Sequence, residues 1–139
     1  MRNWSMTDLV LVPYNATEWQ LREPLRCECR VFLIDVSKGF TTDLASIPRI
    51  ARLLFPVNDL HRPAAVVHDW LYVRQRMLHR TLDSHCWIKR EDADLVFYEL
   101  MLSAGVNRIK AWVMYRAVRV GGWVFFNRRA RECGNPYYR

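Results

Sequence analysis

Apolar and polar positions repeat with a short period over the first quarter of the chain and with a helical period over the rest. From Leu9 to Val36 they fall into brief runs that suit strands. Leu9 to Val12 stops at Pro13, Glu18 to Arg22 stops before Pro24, and Arg26 to Val36 is the longest. In that last run Cys27, Cys29, Val31 and Leu33 share one face, opposite Glu28, Arg30, Phe32 and Ile34, so only the C-terminal half of this strand is expected to be buried on both sides. Gly39 to Arg49 reads as a loop in which Ser46 caps a short helix, Ile47 to Phe55, ended by Pro56. Asn58-Asp59 is expected to cap a longer helix, with Pro63 tolerated in its first turn, that runs to about Met77. Leu78 to Lys89 carries no periodic signal. A second long helix is expected from Arg90 to Ala104, stopped by Gly105, and a last one from the Asn107 cap to the Gly121-Gly122 break, before a basic, irregular tail from Asn127 to Arg139.

These elements predict an α+β fold in which a small N-terminal antiparallel sheet precedes a helical half built on a central antiparallel helix pair. The expected organisation is a single domain, β-rich over 1–38, loop and helices over 39–126, and tail over 127–139. A chain of 139 residues, 51% hydrophobic, is long enough to bury a core without disulfides or metals.

The helical spacing also places chemistry. His68 and Tyr72 lie one turn apart on a stripe that includes the small Ala64 and Ala65, and small residues there let another helix approach. On the second helix Asp94 shares a face with Phe97, Leu100 and Met101, the single charge on an apolar stripe. An unpaired carboxylate there would cost several kcal/mol, so a partner is required, and His68 and Tyr72 are the natural candidates. If Asp94 accepts from one nitrogen of His68, the other nitrogen becomes a general base. Asp69 points about a quarter turn away, free to hold a cation or water. Asp43 is expected to crowd with the hydroxyls of Thr41, Thr42 and Ser46, either in a ligand site or in turns that satisfy loop backbone. The His68 and Asp94 pair has two readings as well, a catalytic dyad or a structural hydrogen bond that fixes helix register.

Charge narrows the partners little. A formal charge of +7 favours anionic surfaces, yet no nucleic-acid module is visible, so no sequence-specific nucleic-acid binding is expected. Cys27, Cys29, Cys86 and Cys133 contain no C-x-x-C pair, and Cys27 with Cys29 is expected to pack rather than hold a metal. His61, His79 and His85 match no standard zinc spacing with His68, except loosely His61, which Pro63 separates from it. The N-terminus lacks the apolar run of a signal peptide, and Ala111 to Phe126, broken by Arg116 and Arg119, is too short to span a bilayer; a host-cytoplasmic, reduced protein is expected.

The run Ala64-Ala65-Val66-Val67-His68-Asp69-Trp70-Leu71-Tyr72, answered by Ala93-Asp94-Leu95-Val96-Phe97, resembles the phospholipase A2 superfamily, in which a helical His-Asp-x-x-Tyr motif faces an aspartate on an antiparallel helix. It is most similar to viral capsid-borne and bacterial members. The resemblance implies that His68 activates a water, that Asp94 with Tyr72 orients His68, and that Asp69 binds calcium. The superfamily's glycine-rich calcium loop has no counterpart between Val36 and His68, so either Asp43 does that work together with Asp69 or no calcium is bound. The chain as a whole resembles uncharacterised proteins of tailed phages and prophages. The matching residues are Gly39-Phe40-Thr41-Thr42-Asp43-Leu44-Ala45-Ser46-Ile47-Pro48-Arg49, the His68 motif, Arg90 with Ala93-Asp94 and Phe97, and Tyr115 to Arg119 with Gly121.

Two functions follow as expectations. One is a lipid ester hydrolase acting at the host membrane. The other is a non-enzymatic virion, tail or assembly protein that keeps the helix pair as a structural element. Trp112 to Arg131 interleaves aromatic and basic side chains, which suits an anionic membrane surface, other phage structural proteins, or a helix packed on the core with a basic outer face.

Overall fold

The structure is a computed structural model and describes residues 2–44 and 59–138. Its architecture is α+β, with an N-terminal antiparallel sheet followed by helices, as the alternation and its change of period predict. The strands are β1 (Ser5–Met6), β2 (Leu11–Pro13), β3 (Trp19–Leu21), β4 (Leu25–Glu28), β5 (Phe32–Val36), β6 (Thr41–Thr42), β7 (Arg76–His79) and β8 (Ser84–Trp87). The helices are α1 (Arg62–Arg74), α2 (Arg90–Ser103), α3 (Arg108–Gly121) and α4 (Trp123–Cys133), with short 3-10 turns at Asp59–His61 and Pro136–Tyr138. One sheet runs in the order β1-β4-β5-β7-β8 and a smaller one in the order β2-β3-β6, with every pairing antiparallel.

The expected strand from Arg26 to Val36 is two strands. Cys29 and Phe32 close a tight turn, with the Cys29 amide donating to the Phe32 carbonyl at 2.9 Å and the Phe32 amide meeting Cys29 Sγ at 3.3 Å. The turn inverts the pleat, so the buried face passes from Leu25, Cys27 and Cys29 to Ile34 and Val36. The antiparallel register then sets Leu25 against Val36 and Cys27 against Ile34. Cys27 and Cys29 are free thiols facing the core, and burial, with Asp35 nearby, pushes the Cys27 thiol up to about 12. Thr41 and Thr42, expected in a loop, pair with Gln20 and Trp19 as β6. The expected helix from Ile47 to Phe55 and its Ser46 cap lie outside the described residues.

The first long helix begins after a 3-10 turn that includes Asp59, and it ends at Arg74 rather than Met77. Gln75 terminates it in the left-handed region, φ 56°, with its amide bonded to the Leu71 carbonyl at 2.8 Å. The chain then turns back into the β7–β8 hairpin, whose turn places Asp83 at φ 45°, a conformation that aspartate tolerates better than most residues. β7 joins β5 through Leu33 opposite Leu78, so the unassigned stretch widens the N-terminal sheet. α2 and α3 lie close to their expected bounds. The Lys89 amide donates to Asp92 Oδ2 at 2.8 Å ahead of α2, and Asn107 Oδ1 accepts from the Ile109 amide at 2.9 Å to cap α3. The expected irregular tail is instead α4, which Phe126 and Ala130 bury on one face before Gly134, φ 75°, ends it.

Buried apolar residues form one cluster from Trp4 to Ala130, in which α1 and α2 pack on each other and Val67, Leu71, Phe97 and Leu100 are fully buried. Glu99 on α2 is buried and accepts from Trp4 Nε1 at 2.8 Å and Arg2 Nε at 2.9 Å, which ties the start of the chain to that helix.

Candidate active site

α1 presents His68 and Tyr72 one turn apart on its buried side, ring centroids 4.2 Å from each other, and α2 presents Asp94 to both. His68 Nε2 lies 2.7 Å from Asp94 Oδ1, and the Tyr72 hydroxyl donates to the same oxygen at 2.6 Å. The three residues that helical spacing singled out therefore meet. Phe97 also packs against the imidazole, ring centroids 4.8 Å apart.

The second oxygen of Asp94 has partners that the spacing did not point to. Arg119, from α3, donates through Nη1 to Oδ2 at 2.9 Å and through Nη2 to Glu91 at 3.2 Å. Arg90, one turn before Asp94, approaches Oδ2 at 3.4 Å and donates to the Arg119 carbonyl at 2.9 Å. The one available signal was the i, i+4 spacing of Arg90 and Asp94. Arg119 reaches across a helix interface, and no local spacing encodes that.

Burial pulls the Asp94 carboxyl upward, but hydrogen bonds from His68, Tyr72 and Arg119 outweigh it and hold the group below the usual carboxylate range. Asp94 is thus an anion that can only accept. In the neutral imidazole Nε2 must carry the hydrogen, which leaves the basic lone pair on Nδ1. Burial, reinforced by the Asp94 charge, drives the Tyr72 hydroxyl well above the ordinary tyrosine range, so it remains a donor.

These groups border a cleft of about 570 Å³ lined by His68, Asp69, Tyr72 and Val73 of α1, by Thr41, Thr42 and Asp43, and by Ala117, Gly122 and Phe125. His68 is only 2% exposed and is one of the residues that line the cleft. Asp69 is not free as expected: its Oδ2 accepts from the Thr42 hydroxyl, which β6 places there, and the Thr42 oxygen in turn accepts from the Leu44 amide at 3.0 Å. Asp43 is exposed at the same cleft, and Glu18, which the sequence did not mark, also lines it. Ser46 lies outside the described residues. Gly122, read from the sequence as a helix break, also makes room for the dyad. A Cβ there would collide with the Tyr72 hydroxyl, one of the donors that hold Asp94.

Asp69, Asp43 and Glu18 are hard oxygen donors, the chemistry that suits calcium. Among the described residues no three His, Cys, Asp or Glu side chains converge as a metal-holding group.

Among known proteins, a family model described as "Protein of unknown function (DUF1353)" matches residues 19–118, from β3 into α3, a stretch that includes His68, Asp69, Tyr72 and Asp94. No curated protein and no solved structure matches the chain.

Proposed function

The chain belongs to the DUF1353 family, which assigns it no activity, and we propose from its own site that it is a phage-encoded hydrolase of lipid esters with a phospholipase A2-like site. The observation that carries this reading is His68: its Nε2 is held by the Asp94 carboxylate while the ring borders a cleft shared with Asp69. In the reaction His68 Nδ1 takes a proton from a water as that water's oxygen attacks the ester carbonyl. The tetrahedral intermediate then collapses, the carbon–oxygen bond to the leaving alkoxide breaks, and the imidazolium returns the proton to it, giving acid and alcohol. Asp94 stabilises the transient imidazolium, and Tyr72 and Arg119 are positioning residues that hold the carboxylate in place. Phe40, Val73, Ala117 and Phe125 offer an apolar wall for an acyl chain. Asp69 with Asp43 would hold calcium, which when bound supplies positive charge beside the ester carbonyl.

A phage origin is supported by the Gly39 to Arg49, His68 and Asp94 motifs in their order along the chain. The working partner is an anionic membrane surface, supported by exposed Trp112, Trp123 and Phe125 next to Arg116 and Arg128. The proposed location is the host cytoplasm during expression and then the virion. Among the described residues no helix is long and apolar enough to cross a membrane.

A second reading rests on the fully buried Asp94 and its arginines. Through Arg119 the cluster ties α3 to α1 and α2, as a non-enzymatic virion, tail or assembly protein would need. One experiment separates the two. Fatty-acid release from phosphatidylglycerol vesicles is measured for wild type and His68→Ala, with calcium and with chelator. The hydrolase reading expects turnover that the substitution abolishes. Absence of any His68-dependent turnover in both conditions, together with a lowered melting temperature in His68→Ala, selects the structural reading.

A further inference from the structure

A second cleft, of about 610 Å³, has a different lining from the His68 cleft, and Val73 is the one described residue that borders both. This second cleft lies between the outer face of the larger sheet and the ends of α1 and α4. The sheet register builds it. Leu33 sits opposite Leu78, Leu78 opposite His85, and Arg76 opposite Trp87, so these side chains share the face turned away from buried Ile34, Val36 and Met77. α1 adds Trp70 and Arg74, and α4 adds Arg129.

The guanidiniums are held in an unusual way. Arg76 lies 3.8 Å from the centroid of the Trp87 ring and Arg74 lies 4.7 Å from that of Trp70. Among the described residues neither forms an ion pair. Stacking on an indole orders a guanidinium while leaving its in-plane N–H donors for a ligand, and that planar fork matches phosphate oxygens. Arg129 is spoken for in part, donating to the Val73 carbonyl at 3.0 Å and to Glu132 at 3.2 Å.

The remaining wall says what the phosphate is attached to. Leu33 and Leu78 form a half-buried apolar floor, which a bare inorganic anion would leave uncovered. Asp35, the one carboxylate among the described lining residues, repels a bare phosphate but accepts from a sugar hydroxyl or an exocyclic amine. The volume lies within the range of about 300 to 1,000 Å³ typical of small-ligand pockets.

We infer that this second cleft binds a nucleotide unit, with Arg74 and Arg76 on the phosphate and the base over the Leu33 and Leu78 floor. The unit can come from a free mononucleotide or from single-stranded nucleic acid, read by backbone and stacking rather than by sequence. The inference is independent of the His68 site and of any hydrolase activity.

Calorimetric titration of the full chain with AMP, with inorganic phosphate and with a short single-stranded oligodeoxyadenylate tests it. AMP is expected to bind about tenfold or more tightly than phosphate. Arg74→Gln combined with Arg76→Gln is expected to weaken AMP about tenfold or more at an unchanged melting temperature, since both side chains are exposed. Trp87→Leu, which removes the stack under Arg76, is expected to weaken it in the same direction. If the oligonucleotide binds more tightly and displaces AMP, nucleic acid is the source; if AMP binds and the oligonucleotide does not, the source is the free nucleotide. The inference is overturned if neither binds, if phosphate matches AMP, or if the arginine pair can be replaced without loss.

Discussion

Asp94 is fully buried and receives four side-chain donors, two on each oxygen. A buried anion is tolerated only when such a set offsets its lost hydration, and removing its charge strands the cations that face it. Asp94→Asn is therefore expected to cost about 3 to 5 kcal/mol at neutral pH, because Arg119 and Arg90 lose their common acceptor. The pH dependence has a definite sign. The folded carboxyl sits below its ordinary value, so its contribution is fully present above about pH 4 and is lost as pH falls through the lower folded value. Urea titrations of wild type and Asp94→Asn should differ most near neutrality and converge in acid; a gap that stays constant down to pH 3 would show that Asp94 acts through packing alone. The sequence made half of this cluster legible. A lone charge on an apolar helical stripe demands a partner, and residues one turn apart on a neighbouring helix supply it, so His68, Tyr72 and Asp94 could be named. Arg119 could not, because its contact depends on how α3 crosses α2, and Thr42 could not, because its hydroxyl reaches Asp69 only through the pairing of β6 with β3.

At the scale of elements, the decisive position is Gln75. It ends α1 in the left-handed region, and its fully buried amide donates to the carbonyls of Tyr72 at 3.2 Å and Phe126 at 2.9 Å while accepting from Asn135 at 2.8 Å. One side chain thus joins the end of α1, the body of α4 and the turn that follows it. Gln75→Leu keeps the volume but loses every one of these bonds, and the expected cost is about 3 kcal/mol, read as a fall in the urea midpoint at constant slope. A loss under about 0.5 kcal/mol would mean that α4 docks through Phe126 and Ala130 alone. The same residue explains why element boundaries were hard to read. Helical spacing continues past Arg74 to Met77, and nothing local says that a glutamine will take a conformation usually left to glycine or asparagine. The turn at Cys29 to Phe32 hid in a similar way, since strict alternation on both sides of a tight turn looks like one strand. α4 is hard to read because its three arginines, Arg128, Arg129 and Arg131, outnumber the two residues, Phe126 and Ala130, that it buries.

Across the whole molecule, the excess of 21 Lys and Arg over 14 Asp and Glu coincides with apolar side chains left outside the core. Ile109, Trp112, Val120, Trp123, Val124 and Phe125 are all exposed along α3 and α4, while the buried side of those helices is carried by Ala111, Met114, Val118, Phe126 and Ala130. Aromatic and aliphatic groups in water are a cost that a partner surface would remove. Arg116 over Trp112 and Arg128 over Phe125 add the charge that an anionic surface attracts, and Phe125 reaches the mouth of the His68 cleft. The proposed membrane partner therefore predicts two separable contributions. Co-sedimentation with phosphatidylglycerol vesicles should exceed that with phosphatidylcholine vesicles and weaken at about 0.5 M salt, where screening shortens the reach of the arginines. Trp123→Ser with Phe125→Ser should lower binding even at low salt, because it removes the part that enters the interface. Equal binding to both lipids, or none, combined with self-association that the same double substitution relieves, would assign this face to protein contacts of the kind a virion component makes.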